Sequence, residues 1–397
     1  MEKILVTNFT WANNPGVNPF LSKVVKVKGM IFNNLFKKNK KASLYKKNRY
    51  LQLTVNEIIE ETSEAKTVVF EQEFDYEPGQ YLTLIVEKDG VEHRRSYSLC
   101  SSPYWQDKPA ITIKKDKAGE ISPFLFSSLK VGNEVSAMLP LGSFTTICVA
   151  DNKRKVVMIG AGSGITPLMS IMKSILREEP QSEVNLIYAN RNQDSVIFRS
   201  QLEQLKASYP NNFRMTEILS QPAPGWNGHQ GRLGQEKITT IFEEMGLMDQ
   251  IKAKEFFICG PQGMMDATIN FLSSQDIPAD RVHKESFIST PREKPEPENK
   301  PEKEGEKIRK VKVLLDGEEH EFDVEPDKSI LETALDLNID MPFSCQSGIC
   351  TACRCKKISG EIMMEEDEGL SQREKDEGYV LVCVGHPLTD DVVLKVE

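Results

Sequence analysis

The chain has 397 residues, of which 27% are charged and 39% hydrophobic, and a formal net charge of −9. That length supports roughly two to four domains, each able to bury a core. No apolar run reaches the roughly 18 residues of a spanning helix, the Met1 end lacks the apolar core of a signal peptide, and eight cysteines suit a reducing, cytoplasmic compartment.

Charge is unevenly spread. Residues 1–49 carry eleven Lys/Arg against the single Glu2, whereas residues 307–397 carry eleven against twenty-one Asp/Glu. The acidic end argues against nucleic acid as a partner and for docking on a basic protein surface. In the basic extension 1–49, Phe20, Val24, Val27, Ile31 and Leu35 fall at helical spacing ahead of Lys37-Lys38-Asn39-Lys40-Lys41. A peripheral contact with the inner membrane face and a disordered or self-packed arm both fit this pattern.

Residues 50–150 read as six short strands punctuated by Pro78-Gly79, Asp89-Gly90 and Val131-Gly132, which predicts an antiparallel β-barrel. On one strand Arg95, Tyr97 and Ser98 offer a phosphate-pairing guanidinium, a ring and a hydroxyl to a flavin, although an ordinary half-exposed strand has the same look. Gly119 leads to Ser122, read as the N-cap of a helix opening at Pro123, where free N–H groups suit a pyrophosphate. Phe144, in Gly142-Ser-Phe144, is placed to cover part of a nucleotide.

Residues 151–289 alternate strands and helices, the pattern of a doubly wound parallel α/β sheet. The strand ending at Gly160 runs through Gly162 and Gly164 to Thr166 and a helix, a glycine-rich approach to a nucleotide phosphate that is G-x-G-x-G and not the dehydrogenase fingerprint. Arg191 follows the second strand, where a guanidinium tilts the choice toward the 2′-phosphate of NADPH over NADH; a solvated surface arginine is an equally good account. Cys259 and Gly260 end another strand at the sheet's carboxyl edge, where a ligand crevice belongs; a buried structural thiol is the alternative for Cys259.

Residues 290–306 hold four prolines and ten charges, an extended tether. In residues 307–397, Asp316-Gly317 marks a hairpin and Ser329 with Glu332 a capping box. Cys345, Cys350, Cys353 and Cys383 then have the C-x4-C-x2-C…C spacing of a plant-type [2Fe–2S] cluster, with small residues in the loop so that backbone N–H groups can approach sulfur. Zinc would prefer paired C-x2-C knuckles, and disulfides a secreted chain. Cys355 falls outside the pattern, and Cys383 is expected on a strand.

In this order the motifs resemble the ferredoxin-NADP reductase superfamily fused to a plant-type ferredoxin of β-grasp fold. The arrangement is similar to reductase components of oxygenases, of the phenylacetyl-CoA epoxidase and 3-ketosteroid hydroxylase type, across residues 50–397. The resemblance implies FAD, with FMN the alternative cofactor; a [2Fe–2S] cluster; and NADPH or NADH as hydride donor. It gives Arg95 the flavin phosphate, Tyr97 the ring, Ser98 the N5 side, Gly119 to Ser122 the pyrophosphate, and Cys259 with Gly260 the nicotinamide wall. Phe287 would lie near the flavin ring and Glu285 near the hydride path. The acceptor implied is a protein, an oxygenase or hydroxylase component or a desaturase, reached by a ferredoxin domain moving on its tether. A stand-alone reductase with several soluble acceptors and an iron–sulfur redox sensor are the rival readings.

Overall fold

The computed structural model describes residues 49–287, 307–367 and 369–396. The membrane-contact reading of the N-terminal extension, Arg49 apart, and the tether reading of residues 290–306 lie outside them. No described helix is long and apolar enough to cross a membrane.

The first layer is a six-stranded, wholly antiparallel sheet. It is built from β1 (Tyr50–Thr62), β2 (Ala65–Phe70), β3 (Tyr81–Lys88), β4 (Val91–Ser98), β5 (Ala110–Lys114) and β6 (Glu134–Met138), with helix α1 (Ile121–Ser128) before β6. Their order is β4-β3-β6-β1-β2-β5. β1 is long enough to pair with β6 through Tyr50–Thr54 and with β2 beyond Val55, where a register shift bends it. A bridge between Leu99 and Ile111 draws the two ends of the sheet together into a barrel. Asp89 and Gly90, with φ of 56° and 77°, make the tight turn that sets the β3–β4 register.

The second layer is parallel throughout. It runs β7 (Lys155–Ala161), α2 (Ile165–Glu178), β8 (Glu183–Asn190), α3 (Arg199–Ser208), β9 (Phe213–Leu219), β10 (His229–Gln230), α4 (Gln235–Glu244), β11 (Glu255–Cys259), α5 (Gln262–Ser274) and β12 (Val282–Glu285). The sheet order is β10-β9-β8-β7-β11-β12. Covered by helices, β7 and β11 are almost fully buried, which accounts for their continuous apolar runs.

The last part begins with the hairpin β13 (Arg309–Leu315) and β14 (Glu318–Val324) and the helix α6 (Ile330–Asp336). It continues through β15 (Arg354–Ser359), β16 (Ile362–Met364), α7 (Gln372–Asp376), β17 (Tyr379–Leu381), β18 (Gly385–Pro387) and β19 (Val392–Val396). The main sheet, β14-β13-β19-β15-β17, is mixed, with β13 and β19 parallel at its centre. The Ser329 hydroxyl accepts from Glu332 N at 3.1 Å while the Glu332 carboxylate accepts from Ser329 N at 3.0 Å, the reciprocal cap that the sequence announced.

At the amino edge of the parallel sheet Arg154 binds Glu179 at 2.6 Å and Glu255 at 3.0 Å, and the Glu179 side chain has no exposed surface. Removing the guanidinium leaves a buried carboxylate without its counter-charge, held only by the neutral donors of Asn152, Ser182 and Val149. Arg154→Met is expected to cost about 3–5 kcal/mol, read as a lower urea midpoint for the second layer.

Candidate functional site

The β3–β4 register decides what each residue of the flavin motif faces. Tyr81 lies opposite Ser98, Leu82 opposite Tyr97 and Leu84 opposite Arg95. Because successive side chains alternate, Tyr97 and Arg95 share the face of the buried Leu82 and Leu84, and Ser98 shares the face of Tyr81. Burial holds the Tyr97 phenol above its ordinary range, with Arg95 opposing the shift. Arg95 is exposed and donates to the neighbouring Arg94 carbonyl at 2.8 Å, which leaves donors for an anion.

Ser98 Oγ donates to the Glu285 carboxylate at 3.4 Å, bringing together two residues 187 positions apart. Burial pushes the Glu285 carboxyl up to about 8, and the bond from Ser98 holds it partly down. Glu285 also pairs in register with Cys259 across β11 and β12. The Cys259 thiol is fully buried and thereby raised well above its usual range. Beside this corner the Ser286 hydroxyl is buried with no hydrogen-bond partner, and Phe287 is exposed. An orphaned donor, an exposed ring and a waiting guanidinium are what a flavin edge and its phosphate would satisfy.

Two expectations here are corrected. Ser122 is not the N-cap: α1 starts at Ile121, two residues before the expected Pro123, and Glu120 occupies the cap without a side-chain bond. The Ser122 hydroxyl instead accepts from Asp116 N at 2.9 Å and closes the turn that contains Gly119. Phe144 covers no exposed site. It is 5% exposed and meets Phe257 edge-on with centroids 5.6 Å apart, because its backbone lies against Gly79, where a Cβ would come 2.0 Å from the Phe144 carbonyl.

The glycine loop is held by close approach. A Cβ on Gly164 would lie 2.1 Å from the Cys259 carbonyl oxygen, so that position admits no side chain, whereas one on Gly160 would lie 2.8 Å from the end of the Leu168 side chain, which would have to shift. Gly162, at φ +54°, is fixed by Tyr188, whose phenol donates to its carbonyl at 2.9 Å. Thr166 Oγ1 donates to Ser163 O at 2.9 Å and locks the first turn of α2. Gly260 follows Cys259 directly, so the glycine loop and the end of β11 form one crevice wall at the sheet's carboxyl edge.

One residue escaped the sequence reading. Lys114 ends β5 and brings Nζ within 3.1 Å of where a Gly162 Cβ would stand. Burial lowers its pKa, Glu64 opposes that shift and Arg191 adds to it. Two cations from different layers thus influence one another, and one of them stands at the glycine loop. A lysine at a strand end carries no signal of this until the barrel is placed against the parallel sheet.

The cluster cysteines converge. Sulfur contacts join Cys345 to Cys350 and to Cys383, and Cys383 to Cys353. Cys345 Sγ also accepts from Ser347 N at 3.4 Å and Cys350 N at 3.3 Å, as the small-residue loop anticipated. Gln346 and Gly348, at φ of 54° and 74°, turn the loop, and Gly348 leaves no room for a Cβ beside Glu366. Among the described residues no three His, Cys, Asp or Glu form a single-ion group; four thiols joined in a row of pairs suit the two irons of a cluster. Cys383 is not on a strand: β17 stops at Leu381, and the turn Val382–Val384, tied to Cys353 O and Leu381 O, aims it at the loop. Cys355 is fully buried in the core.

Residues 52–146 match the family of oxidoreductase FAD-binding domains, 158–270 that of oxidoreductase NAD-binding domains and 313–388 that of 2Fe-2S iron-sulfur cluster binding domains. Fold and site therefore define a flavin- and pyridine-nucleotide-dependent oxidoreductase that carries its own iron–sulfur domain. The chain is 34% identical to a component of the 1,2-phenylacetyl-CoA epoxidase of Escherichia coli K12, over 86% of this chain and 96% of that one. It is 32% identical to the ferredoxin reductase component of 3-ketosteroid-9-alpha-monooxygenase of Rhodococcus rhodochrous, over 88% and 97%. Phthalate dioxygenase reductase shares the fold, with a TM-score of 0.54 at 23% identity over 88% of this chain and 99% of that one. The chain belongs to the family of oxygenase reductase components, which pass electrons from NAD(P)H through FAD and a [2Fe–2S] cluster.

The raised Glu285 carboxyl has a consequence for stability. Between about 4.5 and 8 the folded chain keeps this proton while the unfolded chain releases it, so folding weakens as pH rises through that window and levels off above it. The slope from this group is at most about 1.4 kcal/mol per pH unit. Glu285→Gln is expected to remove it, which unfolding midpoints of both chains at pH 5, 6.5 and 8 would show as a difference that grows in favour of the variant.

Proposed function

We propose that this chain takes a hydride from NAD(P)H at the Ser98–Glu285–Cys259 corner and delivers single electrons through Cys345, Cys350, Cys353 and Cys383 to the oxygenase or hydroxylase component of a multicomponent system. Bound flavin supplies the conversion of a two-electron donor into one-electron steps. The observation that carries the reading is a hydrogen bond of 3.4 Å between Tyr81 Oη and Thr351 Oγ1. Tyr81 is the register partner of Ser98, and Thr351 lies between Cys350 and Cys353, so one buried side chain links the flavin strand to the cluster loop.

The chain's own residues have distinct tasks. Arg95 would pair with the flavin phosphate, Tyr97 would wall the ring, and the Ser98 hydroxyl, which donates to Glu285, would lie on the N5 side. The segment from Gly119 to Ser122 holds the pyrophosphate. Glu285 keeps a proton inside the pocket near neutral pH, and Phe287 shields the ring from solvent. Gly160, Gly162, Gly164 and Thr166 hold the nicotinamide nucleotide's phosphates on the amino end of α2, with Lys114 and Arg191 supplying charge. Cys259 and Gly260 form the nicotinamide wall. Two of the relatives are components of an epoxidase and of a monooxygenase, which supports an oxygenase as the acceptor here.

Anaerobic titration of the purified protein with NADPH and then NADH tests this. Flavin and cluster absorbance are expected to bleach with the same nucleotide. Cys383→Ser is expected to lose the cluster bands and leave flavin bleaching; flavin that neither nucleotide reduces would refute the proposal.

A further inference from the structure

Among the described residues, Asp340, Phe343, Ser344 and Thr351 of the iron–sulfur domain touch the flavin barrel, and a largely buried charge among these contacts is Arg94. Its guanidinium carbon sits 4.1 Å from the centroid of Phe343, two residues before the first cluster cysteine. Its Nε donates to Glu92 at 2.8 Å, its Nη2 lies 3.8 Å from Asp340, and its Nη1 is buried with no partner. The side chain is 9% exposed. Around it Tyr50 donates to both Asp340 oxygens at 2.8 and 2.9 Å, and Ser96 bonds Ser344 at 2.9 Å.

Arg94, Ser96 and Ser98 share one face of β4, opposite to that of Arg95 and Tyr97. Ser98, at the end of that face, meets Glu285 at the flavin corner, whereas Arg94, four residues back, faces Phe343 and Asp340 and has no part in the contacts assigned to Arg95, Tyr97 and Ser98. The contact it makes is also of a different kind from the one between barrel and parallel sheet. Barrel residues Ala65, Cys100 and Ala110 share an apolar cluster with β7 and α2, whereas the cluster of the iron–sulfur domain contains only residues from 311 onward. A planar cation stacked on Phe343 and left with an unmet donor holds a position without an apolar seal, and water can satisfy it when the faces part.

We propose that Arg94 is a positioning residue that seats the cluster loop against the flavin strand, and that it sets the rate of the internal step in which one electron leaves reduced flavin and enters the oxidised cluster. Hydride uptake at the Ser98–Glu285 corner does not depend on it. The inference rests on the electron path proposed above.

The test is anaerobic rapid mixing of the flavin- and cluster-loaded full chain with NAD(P)H, following flavin and cluster bleaching separately. Arg94→Ala is expected to leave the flavin phase unchanged and slow the cluster phase about tenfold, equivalent to about 1.4 kcal/mol of docking free energy. Arg94→Lys keeps the charge, loses the planar stack and is expected to stay slow. Phe343→Leu should slow the same phase, and the double variant should be no slower than either single one, since both remove one contact. Solution scattering of Arg94→Ala should give a larger radius of gyration than wild type. An unchanged cluster phase with unchanged scattering overturns the proposal, as does loss of both phases together, which would make Arg94 structural. Failure of flavin bleaching in the wild type would refute the electron path instead, so the two failures are distinct.

Discussion

The pairing register of β3 and β4 is the constraint from which the rest of the arrangement follows. With Tyr81 opposite Ser98, alternate side chains of one strand serve two different neighbours: Arg95 and Tyr97 on one side, Arg94, Ser96 and Ser98 on the other. A slip by one residue would exchange the faces and remove both the Ser98–Glu285 bond and the Tyr81–Thr351 bond at once. The Asp89-Gly90 turn holds that register with two consecutive positive φ angles, a geometry that costs glycine little and aspartate some strain. A hairpin distant from all the chemistry thus fixes which residues meet.

A second constraint acts where the glycine loop crosses β11. The site needs the turn after β7 and the end of β11 nearer to each other than any Cβ allows, and Gly164 provides the gap, its own Cβ position falling 2.1 Å from the Cys259 carbonyl. That crossing puts Gly260, Cys259 and the start of α2 on one wall. The role of these glycines is accordingly as much packing of loop on strand as approach of backbone to phosphate, and the two demands coincide at the same positions.

Local chemistry was readable in the sequence wherever the partner lies within a few residues. The Ser329–Glu332 cap, the Asp316-Gly317 turn and the strand ending at Cys259 all depend on near neighbours, and the structure has them where they were expected. Readings that depended on distant partners fared differently. Ser122 resembled a cap, but the nearest unsatisfied donor was Asp116 N, so the hydroxyl turned back to it. Phe144 resembled a lid, yet Phe257, more than a hundred residues on, offered it a full apolar shell. Cys383 follows an apolar run that reads as strand, and only the bond from Val382 N to Cys353 O bends it into a turn. Lys114 had no signal at all, because its meaning lies in a loop that belongs to another layer.

The two domain boundaries differ in physical kind, and the difference suits what must cross them. In the proposed path a hydride moves between barrel and parallel sheet, which requires reacting atoms held in near contact with water excluded. An apolar cluster shared across that boundary, with Phe144 and Phe257 at its heart, provides such rigidity. Between barrel and iron–sulfur domain only an electron moves, a transfer that needs no bond geometry. A contact of serine, tyrosine and arginine side chains suffices there. Such polar contacts contribute little net stability, because water replaces most of them at small loss. A domain held in this way can remain seated long enough to be reduced without an apolar seal to the barrel.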